Sequence, residues 1–153
     1  MIRPLALPLL AIASVAVACT SKEAQMADTT KMPPPAAAPP TAAAMIVSPA
    51  NGDSVKGPDV TVKMSAMGFK VDKANAMRED GVGHFHLFLD TTVTADTVPI
   101  PPTSPRIVHI GTGDSTYTFK GVAAGAHQLI VVAAYGNHVP MMTRRDTVHF
   151  VVK

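Results

Sequence analysis

The chain has 153 residues, with 13 Lys and Arg against 11 Asp and Glu, one Cys and no Trp. A formal charge of +2 without any Lys/Arg cluster leaves no footprint for nucleic acid, and a single cysteine leaves no intrachain disulfide. The one basic pair, Arg144-Arg145, reads as a solvated turn.

The N-terminus begins with a short basic region, Met1-Ile2-Arg3, followed by an apolar run of about 13 residues and then small residues. A secretory signal carries an apolar region of roughly 7–15 residues, whereas a spanning helix needs roughly 20. Pro4 and Pro8 weaken a long helix, and the polar Thr20-Ser21-Lys22-Glu23 follows at once. Residues 1–18 are therefore expected to be a signal peptide. Ala16-Val17-Ala18-Cys19 resembles the lipobox of bacterial lipoproteins. That resemblance implies cleavage before Cys19, acylation of its sulfur, and a chain held at the cell envelope by a lipid anchor. Ala16 departs from the pattern, where Leu is commonest. An ordinary cleavage after Ala18 would leave a free thiol, a liability in an oxidising compartment. More than one acyl chain makes such an anchor stable. Thr20 in place of Asp resembles the sorting signal that, in a Gram-negative host, implies the periplasmic face of the outer membrane. Loss of residues 1–18 removes Arg3 and leaves 12 basic against 11 acidic side chains.

Residues 19–44 follow as the lipidated Cys and a linker rich in Pro and Ala, as in Met32-Pro33-Pro34-Pro35-Ala36-Ala37-Ala38-Pro39-Pro40. The segment has no aromatic residue and no apolar periodicity, so it cannot offset its ordering entropy and is expected to be disordered. Pro-Ala stretches favour extended polyproline II, which would give a tether reaching on the order of 70 Å.

Residues 45–153 are expected to form one domain of ordinary size. Only Asp72–Arg78 suggests a helical turn. The rest consists of short strand-like runs separated by Gly, Pro, Asn and Asp: Met45–Val47, Val60–Met67, His84–Asp90, Arg106–Ile110, Thr116–Phe119, His127–Tyr135 and Asp146–Lys153. About seven strands in a domain of this length predict an all-β fold, an immunoglobulin-like antiparallel β-sandwich. An eight-stranded barrel or a cupredoxin-like sandwich is the alternative.

All six histidines lie in this domain. His149 alternates with Val148 and Phe150, so it should point to water. His84 and His86 share a strand face with Cα atoms about 6.7 Å apart, a spacing at which two imidazoles can chelate one ion. Asp90 shares that face but lies about 13 Å from His86, too far to join it. In an immunoglobulin-like sandwich the third and sixth runs are antiparallel neighbours. That pairing brings His138 towards His84 and His86, with Met141 or Met142 as further candidates, and sets His127 beside Asp90 as a structural pair. His109 cannot be placed from spacing and is a possible addition to the cluster. Imidazole suits zinc, copper, nickel and iron, and thioether sulfur favours Cu(I). The competing reading is that these histidines cap strand ends and bond loop backbone. Met64 and Met67 fall on opposite faces of a regular strand and are expected to be core filler rather than ligands.

Gly83-His84-Phe85-His86-Leu87-Phe88-Leu89-Asp90, Pro99-Ile100-Pro101, His109-Ile110-Gly111-Thr112-Gly113, Gly125-Ala126-His127-Gln128-Leu129 and Asn137-His138-Val139-Pro140 occur in that order. This series resembles the bacterial domain of unknown function 4399 over roughly residues 60–152. The correspondence is direct at His84, His86, His109, His127, His138 and Pro140. Phe85 stands where that family has a further His, and Asp114-Ser115-Thr116 replaces its Gln-Thr-Glu. The resemblance implies a fold and an extracytoplasmic setting, and no established activity.

Two functions remain open, and neither is enzymatic. No Gly-x-Ser-x-Gly elbow, phosphate loop or His-Glu-x-x-His motif is present, and Cys19 belongs to the lipobox. The first reading is a lipid-anchored binding module with an envelope protein as partner. Its motive is the sixth run, apolar on both faces from Leu129 to Ala134, which needs a cover. That cover is either a partner or the chain's own Thr91–Pro105 loop. The alternative is a periplasmic metal-binding module in which His84, His86 and His138 hold copper or zinc.

Overall fold

The computed structural model of the chain describes residues 43–101 and 104–153, and only the backbone of Met142. The expected signal peptide, Cys19 and nearly all of the expected linker lie outside the described residues. Among the described residues there is no helix. The strands are β1 (Ala43–Ser48), β2 (Ser54–Val55), β3 (Val60–Met67), β4 (Lys70–Val71), β5 (Val82–Leu89), β6 (Ile107–Ile110), β7 (Thr116–Phe119), β8 (Gly125–Ala134) and β9 (Pro140–Val152).

Two sheets pack face to face. The smaller has the order β1-β3-β7. Alternation fixes its inner face: Val60, Val62 and Met64 are buried while Thr61 and Lys63 are exposed. Antiparallel pairing of Val60 with Phe119 and Val62 with Tyr117 sets the aromatic residues of β7 on the same side. The larger sheet has the order β2-β9-β8-β5-β4, and β6 also pairs with β5. Its central strands β5 and β8 are antiparallel, from His84 opposite Ala134 to Leu89 opposite Leu129. Val62, Phe85, Leu87, Leu129, Val131 and Phe150 meet in the core between the sheets. This is an immunoglobulin-like β-sandwich, stabilised by aliphatic and Phe packing with neither a Trp nor a disulfide.

The outward face of β5 and β8 is also dry. Phe88, Ile130, Val132 and Ala134 form a second apolar cluster, and Ile100 from the Thr91–Pro101 segment packs into it. Ile100 is 1% exposed and Phe88 0%. The doubly apolar sixth run is thus covered by the chain's own loop, so it offers no open surface for a partner.

Several expectations need correction. Strand β1 starts at Ala43, so Ala43 and Ala44 belong to the sandwich and not to the linker. Both are buried and pair with Met67 and Ala66, and composition alone cannot distinguish an alanine in a strand from one in a tether. The two-residue strands β2 and β4 are too short to show periodicity. Arg144 and Arg145 lie within β9 rather than in a turn. There the Arg144 guanidinium sits over Phe69 and Arg145 pairs with Asp96 at 3.1 Å. The Asp72–Arg78 segment forms no helical turn, because Ala76 takes a left-handed φ of 61° and the Asn75 side chain accepts the Met77 N–H.

Candidate metal centre

Alternation along β5 sends neighbouring side chains in opposite directions. Phe85 and Leu87 enter the core between the sheets, while His84, His86 and Phe88 point to the other face. The β5–β6 register sets His109 directly opposite His86, so a third imidazole reaches the same place. The fourth comes from the β8–β9 connection. There the Tyr135 N–H donates to Val139 O at 3.0 Å and the His138 N–H donates to Tyr135 O at 2.8 Å. The Asn137 side chain accepts from the Val139 N–H at 3.2 Å. This tight turn holds His138 at φ 67°, in the left-handed region that His enters more readily than most residues.

The four rings converge. His84 Nε2 lies 3.0 Å from His86 Nε2, and His109 Nε2 lies 3.3 Å from His138 Nε2. One ligand-capable nitrogen from each of the four falls within 4.8 Å of the others. His84 and His86 are fully buried, and His109 and His138 are half-buried. Burial, followed by the neighbouring imidazoles, pushes the His84 pKa down to about 4 and that of His86 to about 2. His109 is lowered by burial and by His138.

These shifts favour neutral rings. A neutral imidazole offers one N–H and one lone pair, so each short pair can share one proton. The Nδ1 atoms of His84 and His86 are buried without a hydrogen-bond partner among the described residues. Among the described residues no carboxylate belongs to the group. A single divalent cation would take one lone pair from every ring. Tetrahedral coordination at about 2.0–2.1 Å requires N···N separations of about 3.3 Å. The contacts at 3.0 and 3.3 Å already approach that edge, and the wider separations, all within 4.8 Å, would have to shorten by up to about 1.5 Å around a bound ion.

The structure thus brings together His84, His86, His138 and the previously unplaced His109. Its position depends on the β5–β6 register across a long loop, which no short-range signal encodes. Met141 does not join the four. It is buried in the core between the sheets, and its sulfur accepts a hydrogen bond from Arg144 Nη1 at 3.1 Å. The side chain of Met142 lies outside the described part. His127 and Asp90 meet at the opposite end of the β5–β8 pair, with His127 Nδ1 2.8 Å from Asp90 Oδ2. His149 is exposed, its Nε2 3.2 Å from the Gln128 side-chain amide. Sequence reasoning missed Gly111: a Cβ there would overlap the His109 ring, so only glycine lets the imidazole fold back over the strand end.

The fold and the four rings define a β-sandwich domain with an all-imidazole cluster on one sheet face. The chain belongs to the family described as a domain of unknown function (DUF4399), whose model matches residues 62–153. All four converging histidines fall inside the match. No curated protein matches the chain. Among solved structures, an engineered protein aligns with 76% of this chain at 14% identity and a TM-score of 0.45. The extracellular domain of a protein described as a one-component system from B. thetaiotaomicron aligns with 68% at 13% identity and a TM-score of 0.43. Fibronectin(III)-like modules of Clostridium thermocellum CbhA align with 72% at 18% identity and a TM-score of 0.43, over 94% of their own length. The chain spans 21% and 12% of the first two proteins.

Proposed function

We propose that this domain is a metal-binding module of the cell envelope that holds one Zn(II) or Cu(II) ion through His84, His86, His109 and His138. The supporting observation is the convergence of four imidazole nitrogens, with contacts at 3.0 and 3.3 Å and no carboxylate in the group. An all-nitrogen donor set suits zinc and divalent copper, and with Met141 turned into the core it lacks the thioether that would favour Cu(I). Four protein ligands complete a tetrahedral ion, whereas catalytic zinc keeps a position open for water. The reading is therefore of a site that holds metal and carries out no reaction on it.

The envelope location rests on the sequence pattern at residues 1–19, with Cys19 as the anchor and the linker as spacer. A binding module for an envelope protein has less support, since its apolar motive is covered by Ile100 and its neighbours. The deciding experiment is metal analysis of the purified full-length protein beside a His84→Ala/His86→Ala variant. The expectation is about one ion per wild-type chain and none in the variant. Equal metal content in the two would sink the proposal.

A further inference from the structure

A segment that contributes no imidazole to the cluster is hydrogen-bonded to all three segments that do. Between β4 and β5 the chain runs through Asp72–Met77 in irregular conformation. Three alternate amides along it donate to three different places. The Asp72 N–H donates to Gly83 O at 2.8 Å, the Ala74 N–H to Gly111 O at 3.1 Å, and the Ala76 N–H to Gly136 O at 3.0 Å. Each acceptor is a glycine beside a metal-ligand candidate. Gly83 immediately precedes His84, Gly111 lies two residues after His109, and Gly136 lies two residues before His138.

The fit is close on both sides. At Gly136 a Cβ would overlap the Asn75 side chain and sit 2.6 Å from Met77 O. Ala76 and His138 both adopt positive φ, 61° and 67°. Left-handed backbone at a residue other than glycine is strained and persists only where its surroundings hold it. Here the two such residues lie on either side of one hydrogen bond, from Ala76 N–H to Gly136 O.

We infer that Asp72–Met77 is a positioning rail for the metal centre, in which the Ala74 and Ala76 amides fix where His109 and His138 stand relative to His84. The inference rests on the metal reading above. The rail touches no metal. It acts through the three glycine carbonyls, as outer-shell partners do when they orient ligands, and loss of such partners typically lowers metal affinity about 10–100-fold.

The test uses the full-length protein with Zn(II) and Cu(II) as probes. Ala74→Pro removes one donor of the rail and adds little bulk. Gly136→Ala forces the β8–β9 turn away from Asn75. Both variants keep all four imidazoles. The expected result is a 10–100-fold loss of affinity in each, with the Cu(II) electron paramagnetic resonance signal showing fewer than four coupled nitrogens. Folded variants that bind as the wild type does, with a four-nitrogen signal, overturn the rail. A second measurement avoids the variants. Coupling is reciprocal, so metal binding should slow hydrogen exchange at the Ala74 and Ala76 amides of the wild type. Unchanged exchange at both, in protein that has bound metal, also overturns the rail. Wild-type protein that binds neither ion overturns the metal reading, and the rail with it.

Discussion

The two ends of the β5–β8 pair each present histidine, and they treat it in opposite ways. At one end His127 has a protein partner at both nitrogens, with Nδ1 2.8 Å from Asp90 Oδ2 and Nε2 2.9 Å from Ala123 O. Asp90 also accepts the Gln128 N–H. At the other end His84 and His86 have each other at Nε2 and no partner at Nδ1 among the described residues. A histidine with acceptors at both nitrogens is satisfied by the fold when it is protonated, and serves as structure. Histidines whose nearest polar groups are other histidines leave lone pairs that a proton or a cation can take up. The difference lies in the neighbours, since the residue type and the sheet are the same.

The largest expected effect separates the ends by metal. His84→Ala/His86→Ala should abolish binding of Zn(II) and Cu(II), while His127→Ala should leave the metal content of the full-length protein unchanged. A His127→Ala variant that also lost its metal would erase the distinction. Binding should stabilise the wild type in proportion to ligand excess, by about 2.7 kcal/mol at a free metal concentration 100 times Kd. For a domain of this size that is a rise in Tm of about 10 °C or more. The double variant should show no rise in a thermal scan.

The next effect concerns the apolar neighbour of the cluster. Ile100 is buried beside Phe88, Ile130, Val132 and Ala134, and its N–H donates to His138 O at 2.9 Å. Ile100→Ala should cost about 2–5 kcal/mol of stability from lost burial and the resulting cavity. Denaturant unfolding measures this. A loss below about 0.5 kcal/mol, the range of surface substitutions, would mean that the Thr91–Pro101 segment covers the sheet only loosely.

Much of the architecture was legible because period two survives at Val60–Met67 and Thr116–Phe119. The same rule set His84 and His86 on one face, and the sandwich topology carried His138 towards them and His127 to Asp90. His109 was not legible, because its position depends on the β5–β6 register across the Thr91–Pro105 loop. The start of β9 was also obscured. Its first residues, from Pro140, include Thr143 at a left-handed φ of 67°, and the register with β8 shifts between Val132 and Ala134. The rail leaves no sequence signature because its interactions are made by backbone amides, which every residue but proline carries. Gly111 and Gly136 look like ordinary turn residues until the His109 ring and the Asn75 side chain are seen against them.

The pH dependence of stability should carry opposite sign at the two ends. In metal-free protein, the unfolded chain takes up protons at His84 and His86 below about 6.5. The folded chain resists until about 4 at His84 and lower still at His86. Between those values the unfolded state binds more protons, so stability falls as the pH falls from about 6.5 towards 4. The limiting slope is about 1.4 kcal/mol per pH unit for each histidine. At the other end, burial alone would lower His127, but its hydrogen bonds to Asp90 and Ala123 prevail and raise it. The stability it contributes is complete below about 6.5 and is lost as the pH rises through its folded value. Denaturant unfolding of the metal-free protein from pH 4 to 8 should therefore show the full acid-side loss in the wild type and in His127→Asn, and only the smaller part due to His109 in His84→Ala/His86→Ala. A small alkaline-side loss should be confined to chains that keep His127. Acid sensitivity that survived at wild-type strength in the double variant would place its origin outside His84 and His86 and remove the electrostatic contrast between the two ends.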